Sequence, residues 1–124
     1  MLTVKTYVTQ SGIQGLGVFA SELIKKGTVI WKYQHNFDQK LTISEFEELP
    51  DIAKESVLHR GYYNAEGYEY VICGDNACFT NHSKTPNTEM DGLYTYALVD
   101  INPGDEITED YYMFDGNADI KLNG

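Results

Sequence analysis

Cys78-Phe79-Thr80-Asn81-His82-Ser83-Lys84-Thr85-Pro86-Asn87 is the least generic run in this 124-residue chain. It passes from aromatic and small residues into Asn, His, Ser, Pro and Asn, a pattern that predicts a strand end turning into a hydrogen-bonded corner. In most proteins such side chains satisfy backbone groups of their own turn. A corner of this kind also gathers donors and acceptors where a ligand can reach them. The stretch alone does not separate these two uses.

Two further stretches point the same way. Some twenty residues on come Pro103-Gly104-Asp105-Glu106-Ile107-Thr108-Glu109-Asp110-Tyr111-Tyr112, and near the start stands Gly15-Leu16-Gly17. Phe79-Thr80-Asn81-His82-Ser83 with Pro86-Asn87, followed by Gly104-Asp105-Glu106-Ile107-Thr108 and Asp110-Tyr111, resembles the signature of SET-domain protein lysine methyltransferases. The resemblance runs in the family's order from the glycine pair to the late tyrosine. It implies a mostly β fold, a β-clip of short strands with a helical insert at about residues 42–60. It also implies a C-terminal segment threaded under the preceding loop as a pseudoknot.

The resemblance further implies S-adenosyl-L-methionine as cofactor and a lysine side chain of a protein or peptide as acceptor. Gly15, Leu16 and Gly17 would lie against the methyl donor, Asn81 at its amino-acid end, and His82 at the adenine through its backbone. Tyr111 matches the catalytic tyrosine, which orients the lysine nitrogen for in-line attack. Phe114, with Met113, follows it and is placed to pack on the cofactor or the lysine channel. Tyr62 or Tyr63 would line the lysine channel, and Glu109 stands at a position that borders that channel. No dedicated base is required, because a free lysine titrates near ~10.4 and burial beside a cation lowers that value. His35, His59, Glu109 and Asp110 remain open as proton acceptors.

Three residues depart from the family pattern: Cys78 stands where Arg is usual, Lys84 where Cys is usual, and Glu109 where an aromatic or apolar residue is often found. Cys73 and Cys78 have no companion ligands for zinc, so both are expected reduced and no metal is expected. The chain ends soon after the tyrosine motif, so it looks like a minimal SET domain of the bacterial or viral kind, without the flanking segments of longer relatives.

Composition bounds the rest. At this length the chain is expected to be one domain, residues 1–124, with room for a core. The formal net charge of -10 argues against a nucleic-acid partner and favours a basic one, such as a lysine-rich tail. No long apolar run and no secretory layout are present, so a cytoplasmic protein with no membrane partner is expected, as a monomer or homodimer. Two other functions stay open: a catalytically silent donor-binding module, and an acidic β-rich interaction domain.

In chain order, the alternation of Leu2 to Val8 predicts a first strand, and the glycines of 12–17 a sharp turn. Val29-Ile30-Trp31-Lys32-Tyr33 reads as a strand with Trp31 in the core. Thr42-Ile43-Ser44-Glu45 is a capping box, Pro50 ends the helix it opens, and a second helix from about Asp51 to His59 carries Ile52, Ala53, Val57 and Leu58 on one side. Tyr68 to Cys73 predicts a strand, and Thr88 to Asp100 a hairpin turning at Asp91-Gly92.

Overall fold

Ten short strands and three helices make up the structure, a computed structural model that describes residues 1–123. β1 (Thr6–Gln10) and β2 (Leu16–Ala20) form an antiparallel hairpin closed by the glycine turn. Gly15 takes φ +48° there, a conformation that side chains other than glycine's rarely adopt. β3 (Val29–Lys32) joins a three-stranded sheet with β8 (Thr88–Asp91) and β9 (Tyr94–Ala97), in the order β3-β9-β8. Asp91 pairs with Tyr94, so Gly92, at φ +62°, and Leu93 make the two-residue turn. β4 (Gln39–Thr42), β5 (Gly61–Asn64) and β6 (Glu69–Ile72) form a second sheet, ordered β4-β6-β5.

The helical insert lies between β4 and β5. α1 (Ile43–Glu47) starts on Thr42, whose hydroxyl accepts from Glu45 N at 3.1 Å while the Glu45 carboxylate accepts from Thr42 N at 2.9 Å. α2 (Asp51–Arg60) begins after Pro50 and ends at Gly61. The expected apolar side of α2 is narrower than its sequence suggested: Val57 is buried, but Ile52 is 77% exposed. The expected first strand also begins later than its alternation implied. Leu2 instead bridges Trp31, and its N–H donates to Asp75 Oδ2 at 2.7 Å, so residues before Thr6 are tied to other elements.

Val18, Ala20, Ile24, Ile30, Ile101 and Ile107 form the centre of the core, with Trp31 against them. Ile24 and Ile101 exchange backbone hydrogen bonds of 2.8 and 2.7 Å. Through this core runs the segment that decides the topology. β10 (Thr108–Glu109) pairs in parallel with β7 (Asn81–His82) on one side. On the other, Ile107 N donates to Val18 O at 2.8 Å and Glu106 bridges Phe19. Residues 83–87 then close over it: Ser83 N donates to Glu109 O at 2.9 Å, and the Asn87 amide spans Glu106 O and Thr108 N at 2.8 and 2.9 Å. The C-terminal segment is therefore threaded beneath the loop that precedes it, as the mostly β, pseudoknotted fold requires. After a short turn at Tyr111–Met113 the chain ends in α3 (Ala118–Asn123).

Candidate active site

The corner that opened the sequence reading is where three distant segments meet. Asn81 Nδ2 donates to Gln14 O at 3.1 Å, Leu16 O at 3.0 Å and Glu106 Oε2 at 2.8 Å. One amide thus fixes the glycine turn against the threaded strand. Glu106 is anchored in turn by the Ser11 hydroxyl, 2.7 Å from Oε1. A Cβ at Gly17 would run into this carboxylate. Gly17 therefore serves the close approach of β2 to Glu106 and does not itself face the cavity described below, whereas Gly15 and Leu16 do. Glu106 belongs to the late motif, but its contact with Ser11 left no mark in the sequence, because their meeting depends on the threading.

His82 Nδ1 accepts the Tyr111 backbone N–H at 3.1 Å, which puts the ring proton on Nε2. The ring packs 5.4 Å from that of Tyr111. The Tyr111 hydroxyl donates to Thr80 O at 2.5 Å, and burial pushes its phenol above the ordinary value, with Glu109 and Asp115 adding to the shift. The hydroxyl therefore stays protonated, with its oxygen lone pairs free to accept. Tyr62 is buried and meets Phe114 edge to face at 5.1 Å. Tyr63 points to the opposite face of β5, as the two-residue strand period demands, and packs on Tyr70 at 5.0 Å. Of the two tyrosines left open by the sequence, Tyr62 is the one at the cavity.

That cavity, of about 570 Å³, is walled by the glycine turn, Asn81, His82, Tyr111, Phe114 and the end of α2. A second hollow, also of about 570 Å³, opens between Asn64, Glu66, Asp91, Tyr112 and Met113. The two share Tyr62, Met90, Phe114 and Asp115. Met113 thus belongs to the second hollow only, while Phe114 stands between both. Met90 drew no notice in the sequence, since a lone methionine in a strand carries no signal.

Glu109 lines the first cavity, and among the described residues no donor lies within hydrogen-bond distance of its carboxyl. Burial raises its pKa from 4.5 to about 7, offset in part by Lys121 and reinforced by Asp115. Cys73 lies near, its thiol pushed up to about 12 chiefly by burial. Both cysteines are free thiols. Asp115 Oδ1 accepts from Tyr63 N at 3.2 Å and Asn117 N at 2.9 Å, and its Oδ2 pairs with Lys121 Nζ at 2.6 Å. The tail sequence gave no hint of this contact. His59 lines the cavity at the end of α2, but His35 lies outside both hollows. Asp110 caps the Tyr111 turn through Tyr112 N at 3.0 Å. Among the described residues no cluster of His, Cys, Asp and Glu suits a metal, and no helix is long and apolar enough to cross a membrane.

The SET domain family profile matches residues 15–112. No curated protein sequence matches the chain. A solved Plasmodium falciparum chain, named as a histone methyltransferase candidate, superposes with a TM-score of 0.62 at 24% identity, covering 89% of this chain and 95% of that one. Polycomb Repressive Complex 2 of Chaetomium thermophilum, in a humanized mutant bound to the inhibitor GSK126, superposes at 0.69 with 17% identity over 94% of this chain. A further structure of that complex, bound to S-adenosylmethionine, gives 0.70 at 17% identity over 96%. In both complexes only 16% of the neighbour's length is covered. At these identities the superpositions speak for the fold.

Proposed function

The chain belongs to the SET-domain family, and on that premise we propose that it is an S-adenosylmethionine-dependent methyltransferase acting on lysine side chains of a protein. The observation that carries this reading is the pair of hollows meeting at Tyr62, Met90, Phe114 and Asp115 beside Tyr111. Two hollows that border one wall give two reactants separate places beside it, a layout that suits an in-line transfer. The neighbours named as histone methyltransferase and Polycomb complex fit a protein acceptor, and a basic one suits a chain of net charge -10.

The residues present suit the donor. A cavity of about 570 Å³ lies within the roughly 300–1,000 Å³ typical of small-molecule sites. Gly15 leaves its wall open, with nothing within 4 Å of where a Cβ would stand. Gly15, Leu16, Asn81, His82 and Phe114 would hold the donor, which when bound supplies a methyl group on a sulfonium. Asn81 acts by fixing the turn through Gln14 O and Leu16 O, leaving its own carbonyl oxygen for the ligand. Tyr111, anchored on Thr80 O, presents hydroxyl lone pairs that orient the lysine nitrogen. The buried ring of Tyr62 and the half-buried ring of Phe114 limit water there, and desolvation favours the neutral amine that attack requires.

Calorimetric titration of the purified protein with S-adenosylmethionine tests the reading. We expect one site, weakened about five- to thirtyfold in Asn81→Ala, since a lost hydrogen bond to a positioned loop is worth about 1–2 kcal/mol. A folded Asn81→Ala protein with unchanged affinity would remove the assignment of this corner.

A further inference from the structure

A lysine of the chain's own tail lines the first cavity. Lys121 Nζ donates to Gly61 O at 2.6 Å, pairs with Asp115 Oδ2 at 2.6 Å, and lies 5.9 Å from the centroid of the Tyr111 ring. The Asp115 side chain is 1% exposed, and its other oxygen is held by two backbone N–H groups, so this anion is fixed in place. Glu109 lines the same cavity with no hydrogen-bond donor of the described residues on its carboxyl. Two carboxylates, a carbonyl oxygen and an aromatic face therefore converge on one region. That set attracts cations, and a tethered ammonium fills it. The chain's other lysine ion pairs, Lys40 with Glu69 and Lys54 with Glu47, involve no residue that lines either hollow.

The methyl donor is also a cation. Its sulfonium cannot donate hydrogen bonds as an ammonium does, but the same carboxylates and the same ring face draw it. Two positive charges drawn to one set of carboxylates repel each other. We propose that Lys121 is a tethered internal competitor for this cation site, whose ammonium leaves Asp115 and Gly61 when the donor's sulfonium arrives. The inference rests on the donor reading above and adds a control to it. Methyl transfer to a lysine nitrogen that has lost its proton moves the positive charge from sulfur to the product amine and leaves a neutral thioether. The thioether exerts no such repulsion, so the return of Lys121 favours its release.

Lys121→Met, which keeps the length of the side chain and removes its charge, tests this. The purified variant is titrated with S-adenosylmethionine and, separately, with S-adenosylhomocysteine, the neutral thioether. We expect S-adenosylmethionine to bind about tenfold more tightly than to wild type, with a much smaller change for the thioether. Equal or weaker binding of S-adenosylmethionine to Lys121→Met would overturn the proposal and make Lys121 a clip for α3, with the donor reading untouched. Failure of wild type and variant to bind either molecule would overturn the donor reading and the proposal with it. A second measurement uses wild type alone, in case the variant does not fold. The rate at which an amine-reactive ester acylates Lys121, followed by mass spectrometry, should rise on adding S-adenosylmethionine. An unchanged or slower rate would contradict displacement.

Discussion

Glu109 shows how a single side chain takes its character from where the threading puts it. In the sequence it is one acid among several in an acidic run. In the structure burial raises its pKa to about 7 from 4.5. The folded chain thus binds this proton more tightly than the unfolded chain does. Between those two values the folded state holds more protons, so stability falls as pH rises from about 4.5 toward about 7, and the loss is complete above 7. Glu109→Gln cannot lose that proton. Urea unfolding at about pH 5 and about pH 8 should therefore show wild type losing more stability than the variant over this interval. Parallel behaviour of the two proteins would mean that the carboxyl is solvated. The same residue marks a limit of sequence reading. Its place near the tyrosine was legible from the motif, but its half-buried carboxyl on the cavity wall was not, because that wall is assembled from segments far away in the chain.

At the scale of elements, local signals were the legible ones. The Thr42 capping box and the β-rich run at Val29 to Lys32 each depend on residues a few positions apart and formed where expected, and the turn expected at Asp91-Gly92 formed one residue later, at Gly92-Leu93. The first strand and the apolar side of α2 were misjudged for a common reason. Leu2 and Ile52 carry the right residue type, but their environment is set by partners elsewhere: Leu2 is drawn to Trp31 and Asp75, and no element covers Ile52. Asn87 is the sharpest case. Turn chemistry suggested that it satisfies nearby backbone groups, and it does satisfy backbone groups, but those of Glu106 and Thr108 across the knot. Asn87→Ala should leave both unpaired and destabilise the fold by about 2 kcal/mol, measured by urea denaturation. A loss near zero would show that water replaces the amide and that the threaded strand is held by its β7 ladder alone.

Across the whole molecule, the threading explains why motifs so far apart in sequence form one site. β10 passes between the β1–β2 hairpin and β7, which carries Tyr111 to His82 and brings Glu106 to both Asn81 and Ser11. No periodicity or turn rule foretells such a path; it was legible only through resemblance. Nor could resemblance foretell what the tail does, since the Lys121–Asp115 contact depends on how α3 packs back on the site. The two hollows share a wall at Tyr62, Met90, Phe114 and Asp115, and Tyr111 lines the first of them. The most direct measurement is methyl transfer itself. Purified wild type and Tyr111→Phe are each incubated with S-adenosylmethionine and a lysine-bearing peptide library, and methylated lysines are followed by mass spectrometry. Wild type should methylate lysine, while Tyr111→Phe should bind the donor as before and transfer about a hundredfold more slowly, because the hydroxyl acts on the attacking nitrogen more than in donor binding. Equal rates for the two proteins, or a wild type that binds the donor and modifies no lysine in the library, would contradict the assignment.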